Sequence, residues 1–362
     1  MAGSATSGRT LLFIVDTPGA RRNAPLIGNL QARAVAIDQI EARDIADAWA
    51  LILDADLADV GNVTRLKDML AMAPEGQSRV VAVDYGRRLE MLNANALGAT
   101  RLLRRPLSEA TLKQHLHIGL KSEMEDLVNA AGSPTVGGSI ASAADALLGT
   151  FEALTTGGAL NLSGLSEASE EVAEAIAEAG FPEWLEAVRA HHQGTFQHCL
   201  IVTGVITTFA QSVGMSRADT AMLTRAGLLH DVGKAAISVE ILDKPGRLTE
   251  REMELIRQHP GRGYDYLMTQ RKVGADILSA VRSHHEYLNG SGYPDGLSGS
   301  QIGDIPRIMT VCDIYGALIE RRSYKPPMPP DQAMAVLEEM AGAGKIELAL
   351  VRALYAGMPP AG

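Results

Sequence analysis

The chain has 362 residues, with 33 Lys and Arg against 43 Asp and Glu, a formal net charge of −10, and 46% hydrophobic but only 4% aromatic residues. The apolar share excludes a wholly disordered chain, and the acid surplus argues against a nucleic-acid polymer or a membrane surface as partner, because phosphates recruit basic patches. At about 150 residues per domain, the length suggests two domains and a connection. Residues 1–120 carry 14 basic and 13 acidic side chains, 121–180 carry 1 and 10, and 181–362 carry 18 and 20, so the acidity belongs to the middle segment. Cys199 and Cys312 each sit in an apolar stretch without CxxC spacing, which argues against a disulfide framework. The N-terminus lacks the basic flank and apolar core of a signal peptide, and no apolar run approaches the ~20 residues of a membrane span, so a cytoplasmic protein is expected.

Residues 11–15, Leu-Leu-Phe-Ile-Val, form a short apolar run closed by Asp16, the pattern of a strand buried on both faces. Similar runs recur at 34–37, 50–53, 80–83 and 101–103, separated by helical periods such as Val63, Leu66, Leu70 and Ala73. Strands alternating with helices predict a doubly wound α/β domain over 9–120, its last helix running from an N-cap at Ser108 to about Leu120. Such sheets place their sites at the carboxyl ends of the strands, where Asp16 and Asp54 fall. Segment 121–180 is rich in Ala, Gly, Ser, Thr and Glu, with Phe151 as its one aromatic residue. Apolar spacing predicts a helix over 140–154 ended by Gly157-Gly158 and another over 172–179 ended by Gly180. The pair reads first as an acidic helical linker, with packing on the last domain or a homodimer contact as alternatives. Periodic apolar stretches at 183–213, 217–235, 249–258, 261–286, 305–320 and 331–355 predict an all-α domain of six to eight helices over 181–358.

Seven of the nine histidines fall between 191 and 285. His198, His230-Asp231, His259 and His284-His285, with the later Asp313, combine imidazole and carboxylate, the ligand set of divalent transition metals. Their long spacings place them on different helices of one bundle, as metal sites in bundle cores are built. An adjacent His-Asp pair can serve one metal while the Asp bridges to a second. His115, His117, His191 and His192 read as ordinary surface or core residues.

His230-Asp231 followed by Gly233-Lys234, then His259-Pro260, His284-His285-Glu286 and Gly290-Ser291-Gly292-Tyr293-Pro294, resemble the HD-GYP domain, a subgroup of the HD metal-dependent phosphohydrolases. The resemblance spans roughly 183–350, with Lys244-Pro245-Gly246 and Leu248-Thr249 between the signatures and Arg321-Arg322-Ser323-Tyr324-Lys325 after them. It implies an HD-type helical bundle holding divalent metals, iron or manganese. It implies a phosphodiesterase that hydrolyses cyclic di-GMP to pGpG, and onward to GMP, through a hydroxide shared by two metals. His198, His230, Asp231 and Asp313 would hold one metal, and Asp231, His259, His284 and His285 the other. Asp231 and Lys234 would be catalytic, and Lys234, Tyr293, Arg322 and Lys325 would meet substrate. Three positions depart from the family's pattern. Gly194 replaces a Glu that supports a third metal in some members, so two ions are expected. Gly316 stands where a second Asp is common, and Asn289 where Asp often precedes the glycines. These departures leave room for a regulatory protein acting through nucleotide or signalling-protein partners, or for a phosphohydrolase of another nucleotide.

The N-terminal domain resembles a response-regulator receiver, of flavodoxin-like fold. Asp54 matches the phosphoacceptor, but Asp16 is followed by Thr17 rather than a second acid. Asp84 stands where Ser or Thr is expected, and Arg105 where Lys is expected. A receiver-like docking domain that is not phosphorylated is the expectation.

Overall fold

A computed structural model describes residues 10–74, 77–109, 111–112, 116, 133–189, 194–237, 239–242, 244, 246–270, 272–320 and 327–358. The chain divides into two compact units, with the boundary between Leu120 and Lys121.

In the first unit β1 (Thr10–Val15), β2 (Arg33–Ala36), β3 (Ala48–Asp54), β4 (Ser78–Val83) and β5 (Arg101–Arg104) form one parallel sheet in the order β2-β1-β3-β4-β5. That order is the flavodoxin-like doubly wound arrangement. Strict alternation feeds two cores: Leu12, Ile14, Leu51, Leu53, Val81 and Val83 pack on one face. Leu11, Phe13, Val15, Ile52, Val80 and Leu103 pack on the other. Helices α1 (Thr17–Asn29), α2 (Ala42–Ala46), α3 (Val60–Leu70) and α4 (Arg88–Ala96) connect the strands. The helix expected over 108–120 lies mostly outside the described residues, although Ser108 Oγ accepts the Thr111 amide as an N-cap would.

Among its described residues the second unit is built of helices joined by loops, with one isolated bridge between Asn289 and Ser298, and it begins earlier than the sequence suggested. Helices α5 (Pro134–Thr156) and α6 (Leu162–Ala179) belong to its core and are not a linker. Val136, Ile140, Leu147, Phe151, Leu165, Val172 and Ile176 pack in one cluster with Trp184, Val202, Leu228, Val281 and Met309. The buried stripe of α6 recurs every three or four residues, while Glu167, Glu170, Glu171, Glu174 and Glu178 are exposed. Half of the ten acids of 121–180 thus form the solvent face of one core helix. Ser133 and Asn161 cap the two helices by accepting the Val136 and Gly164 amides. Gly157, at φ 70°, ends the first in a left-handed turn that favours glycine.

The bundle continues as α7 (Phe181–Arg189), α8 (Gly194–Ser212), α9 (Arg217–Leu229), a 3-10 turn at Val232–Ala236, α10 (Val239–Leu242), α11 (Glu250–Ile256), α12 (His259–Thr269) and α13 (Ala275–Ser283). A short 3-10 turn at Gly299–Gln301, α14 (Asp304–Ile319), α15 (Pro330–Gly342) and α16 (Leu348–Gly357) complete it. Two long periodic stretches of the sequence are broken here, at 230–231 and between 269 and 275. Among the described residues no helix is long and apolar enough to cross a membrane.

Candidate metal centre

Five segments of the bundle deliver the polar side chains. His198 projects from the body of α8. His230 and Asp231 follow the last turn of α9. His259 opens α12, His284 and His285 follow α13, and Asp313 lies within α14. His230, His259 and His284 are fully buried, and Asp231, His198 and Asp313 nearly so. His285 and Lys234 are partly exposed.

Three of the histidines sit at helix ends, and this sets their tautomer. His230, His259 and His284 reach back to the carbonyls of Gly227, Ile256 and Val281 at 2.7, 2.7 and 2.9 Å from Nδ1, each three residues earlier. These carbonyls belong to final helical turns, which lack amide partners further along. A carbonyl only accepts, so Nδ1 bears the proton and Nε2 presents a lone pair.

Those lone pairs converge. His259 Nε2 and His284 Nε2 are 3.2 Å apart, and His259 Nε2 lies 3.0 Å from Asp231 Oδ1. The other carboxylate oxygen, Asp231 Oδ2, faces His198 Nε2 at 3.6 Å and His230 Nε2 at 3.4 Å. Asp313 Oδ1 stands 3.0 Å from His198 Nε2, and its Oδ2 3.7 Å from His285 Nδ1. Two ligand sets result, Asp231, His259, His284 and His285 in one, and His198, His230 and Asp313 in the other. Asp231 turns one oxygen to each. Among the described residues His230 Nε2 and Asp231 Oδ1 are buried without a hydrogen-bond donor. Acceptors packed against acceptors in a dry site are costly unless a cation lies among them, so the donor set fits divalent metal. The expected ligands are all brought together.

The electrostatics agree. Burial pulls the His259 imidazole down to about 4 and His285 well below its ordinary value, so both imidazoles are neutral at pH 7. Burial alone would raise Asp231, but the Lys234 ammonium beside it outweighs this and holds the carboxyl well below the usual range. Lys234 Nζ donates to Asp231 Oδ2, and that carboxylate outweighs desolvation and keeps the amine charged. Burial likewise opposes charging His198, yet Asp313 and Glu320 beside it push the imidazole up to about 9.

The loop after the histidine pair is pinned to the centre. Glu286 accepts the amides of Asp295, Gly296 and Leu297 at 2.6, 3.0 and 3.0 Å, and the Arg282 guanidinium grips Asp295. A Cβ on Gly292 would lie 2.5 Å from both His285 O and Glu286 Cα, so only glycine allows this approach. The Tyr293 ring consequently stacks on His285, centroids 4.7 Å apart, and Arg257 lies 5.8 Å above the tyrosine. Asn289 still closes its turn, because Oδ1 accepts from the Ser291 amide and hydroxyl. Arg322 and Lys325 lie outside the described residues.

Glu286, Arg257 and Glu320 were not assigned roles from sequence. Glu286 had a signal in its place directly after the histidine pair. Arg257 and Glu320 had none, because their neighbours are set by tertiary packing.

In the first unit Asp54 is fully buried. Its carboxylate accepts from Arg22 Nη2 at 2.8 Å, Arg105 Nε at 2.6 Å and Asn23 Nδ2 at 2.6 Å. Arg105 also reaches Glu90 at 2.6 Å. Asp16 caps α1 through the Gly19 amide and accepts from the Asp56 amide, and Asp84 accepts from the Gly86 amide.

Fold and centre together define a helical bundle with a paired histidine–aspartate metal site, preceded in the chain by a receiver-like α/β unit. The family model described as "HD domain" matches residues 161–350, and the chain belongs to that family. A cyclic di-GMP phosphodiesterase of Pseudomonas aeruginosa is 34% identical over 158 residues, 44% of this chain and 38% of the relative. A 3'3'-cGAMP-specific phosphodiesterase of Vibrio cholerae is 37% identical over 161 residues, 44% of this chain and 34% of the relative. A cyclic di-GMP phosphodiesterase response regulator of Xanthomonas campestris is 38% identical over 158 residues, 43% of this chain and 42% of the relative. The chain thus spans well under half the length of these relatives.

Proposed function

We propose that this chain is a metal-dependent phosphodiesterase that opens cyclic dinucleotides, cyclic di-GMP first among them, to the linear dinucleotide. The carrying observation is the division of the Asp231 carboxylate between two ligand sets, one oxygen to each. The relatives support the substrate class. Iron or manganese suits mixed imidazole and carboxylate ligands. His198, His230, Asp231 and Asp313 would hold one ion, and Asp231, His259, His284 and His285 the second. Bound there, such ions supply Lewis acidity toward a phosphodiester and a hydroxide nucleophile at neutral pH.

The chain's own groups do the rest. The charged Lys234 ammonium, beside Asp231, is placed to neutralise a non-bridging phosphate oxygen. Tyr293 braces His285 and forms a wall against which a base or ribose can lie. Burial pushes its phenol up, so it stays a neutral donor. Arg322 and Lys325 remain proposed contacts for the second phosphate.

The test is anaerobic loading with Fe(II) or Mn(II), followed by chromatography of reactions with cyclic di-GMP and, separately, 3'3'-cGAMP. We expect cyclic di-GMP to disappear and pGpG to precede GMP, because two ions suffice for the first bond. Asp231→Asn should lose most bound metal and all turnover. A wild-type protein that binds two ions and leaves both cyclic dinucleotides intact would overturn the reading.

A further inference from the structure

His198 differs from the other ligand histidines in where it sits. His230, His259 and His284 follow or open helices and find a free carbonyl for Nδ1. His198 lies in the first turns of α8, where the preceding carbonyls are engaged by the helix itself, so its Nδ1 needs a partner from elsewhere. The residue that faces it is Glu320, at the end of α14: Oε2 stands 3.3 Å from Nδ1, with both side chains nearly fully buried. The approach lies off the axis of a hydrogen bond, and among the described residues Nδ1 has no other acceptor.

The placement of Glu320 follows from helix packing. Asp313, Gly316 and Glu320 are spaced three and four apart, on one face of α14. Gly316 brings this face against α8, since a Cβ there would come 2.7 Å from Val202 Cγ2. Val202 is one turn beyond His198. The imidazole is therefore held between two acids of the same helix, Asp313 on Nε2 at 3.0 Å and Glu320 on Nδ1.

We propose that Glu320 is a positioning residue of the metal centre, which orients the His198 ring through Nδ1 and strengthens it as a ligand through Nε2. A carboxylate behind a ligand imidazole fixes its tautomer and raises its basicity, and losing such a partner costs 10- to 100-fold in metal affinity. The inference rests on the metal centre of the proposed function, but not on its substrate.

The experiment titrates the full chain, stripped of metal, with Mn(II), and reads stoichiometry and affinity together with the electron paramagnetic resonance spectrum. In the wild type we expect two ions and the signal of a coupled pair. Glu320→Gln keeps the shape and the acceptor but not the charge. It should weaken one of the two sites about tenfold and, at limiting Mn(II), convert the coupled signal to that of isolated ions. Glu320→Ala should do so more strongly, with Glu320→Gln intermediate. Wild-type affinity and spectrum in both variants would overturn the proposal, as would a wild type that binds no divalent metal. If Glu320→Ala unfolds, Glu320→Gln decides alone. A wild type that binds two ions without hydrolysing cyclic dinucleotides would remove the substrate reading and leave this titration valid.

Discussion

Asp231 and Asp54 are both buried aspartates, and what faces each decides its use. Around Asp231 the neighbours are four imidazole rings and one ammonium, and among the described residues its Oδ1 finds no donor. Around Asp54 they are two guanidinium groups and an amide, all donors, and the carboxylate is already satisfied. A phosphoryl group on Asp54 would have to displace both arginines. We therefore expect a small-molecule phosphodonor with Mg²⁺ to leave the mass of the protein unchanged; a stoichiometric, Asp54-dependent increase would refute this. The same contacts fix a pH dependence. Burial raises the Asp54 carboxyl, but its bonds to Arg22 and Arg105 outweigh this and hold it below the ordinary value. A depressed carboxyl contributes stability above its unfolded value of about 3.9, and that contribution is lost as pH falls through the lower folded value. The protection of β3 amides against hydrogen exchange, corrected for the intrinsic rate at each pH, should fall below about pH 4 in the wild type. Asp54→Asn, which leaves the arginines facing an amide, should exchange faster already at pH 7, losing about 3 kcal/mol.

At the scale of elements, the strands were legible because both faces of the sheet are buried. Continuous apolar runs such as 11–15 then admit no other reading, and the boundaries came within a residue or two. The residues of the two clusters were legible for a related reason, since His and Asp are expensive beside apolar runs unless something pairs with them. What the sequence hid was that three histidines end or begin helices, because apolar periodicity runs straight through 217–235 and 261–286. It also hid the role of α5 and α6. Small residues bury as well as large ones when helices approach closely, but they look like linker composition. A buried position in α5 tests this. Leu147 is fully buried in the shared core. Leu147→Ala should cost about 2–4 kcal/mol of stability in the helical unit, read as a lowered melting temperature. Metal stoichiometry in the folded protein should stay at the wild-type value. A spacer helix would tolerate the change with no shift.

At the scale of the whole chain, charge, core and family boundary give different divisions, and packing decides among them. The sharp charge change at 180 suggested a third segment, yet the acids of α6 coat one face of a helix whose other face is core. The family match begins at 161, inside the same core, and so leaves out α5. The contact boundary at 120/121 separates units with hydrophobic clusters of their own. A unit keeps its stability when cut where few contacts cross, and loses it when cut through a core. Two truncations follow. A chain of residues 121–362 should fold, melt cooperatively and bind the same number of Mn(II) ions as the full protein. A chain of 181–362 retains every ligand histidine and aspartate but loses Val136, Ile140, Leu147, Phe151, Leu165, Val172 and Ile176 from beneath them. Uncovering these partners exposes the apolar faces of α8 and α9, from which His198 and His230 project. The shorter chain should therefore aggregate or bind a fluorescent hydrophobic dye, and should bind metal weakly if at all. A well-folded 181–362 chain with two tightly bound ions would show that α5 and α6 are an attachment to the centre and not part of what builds it.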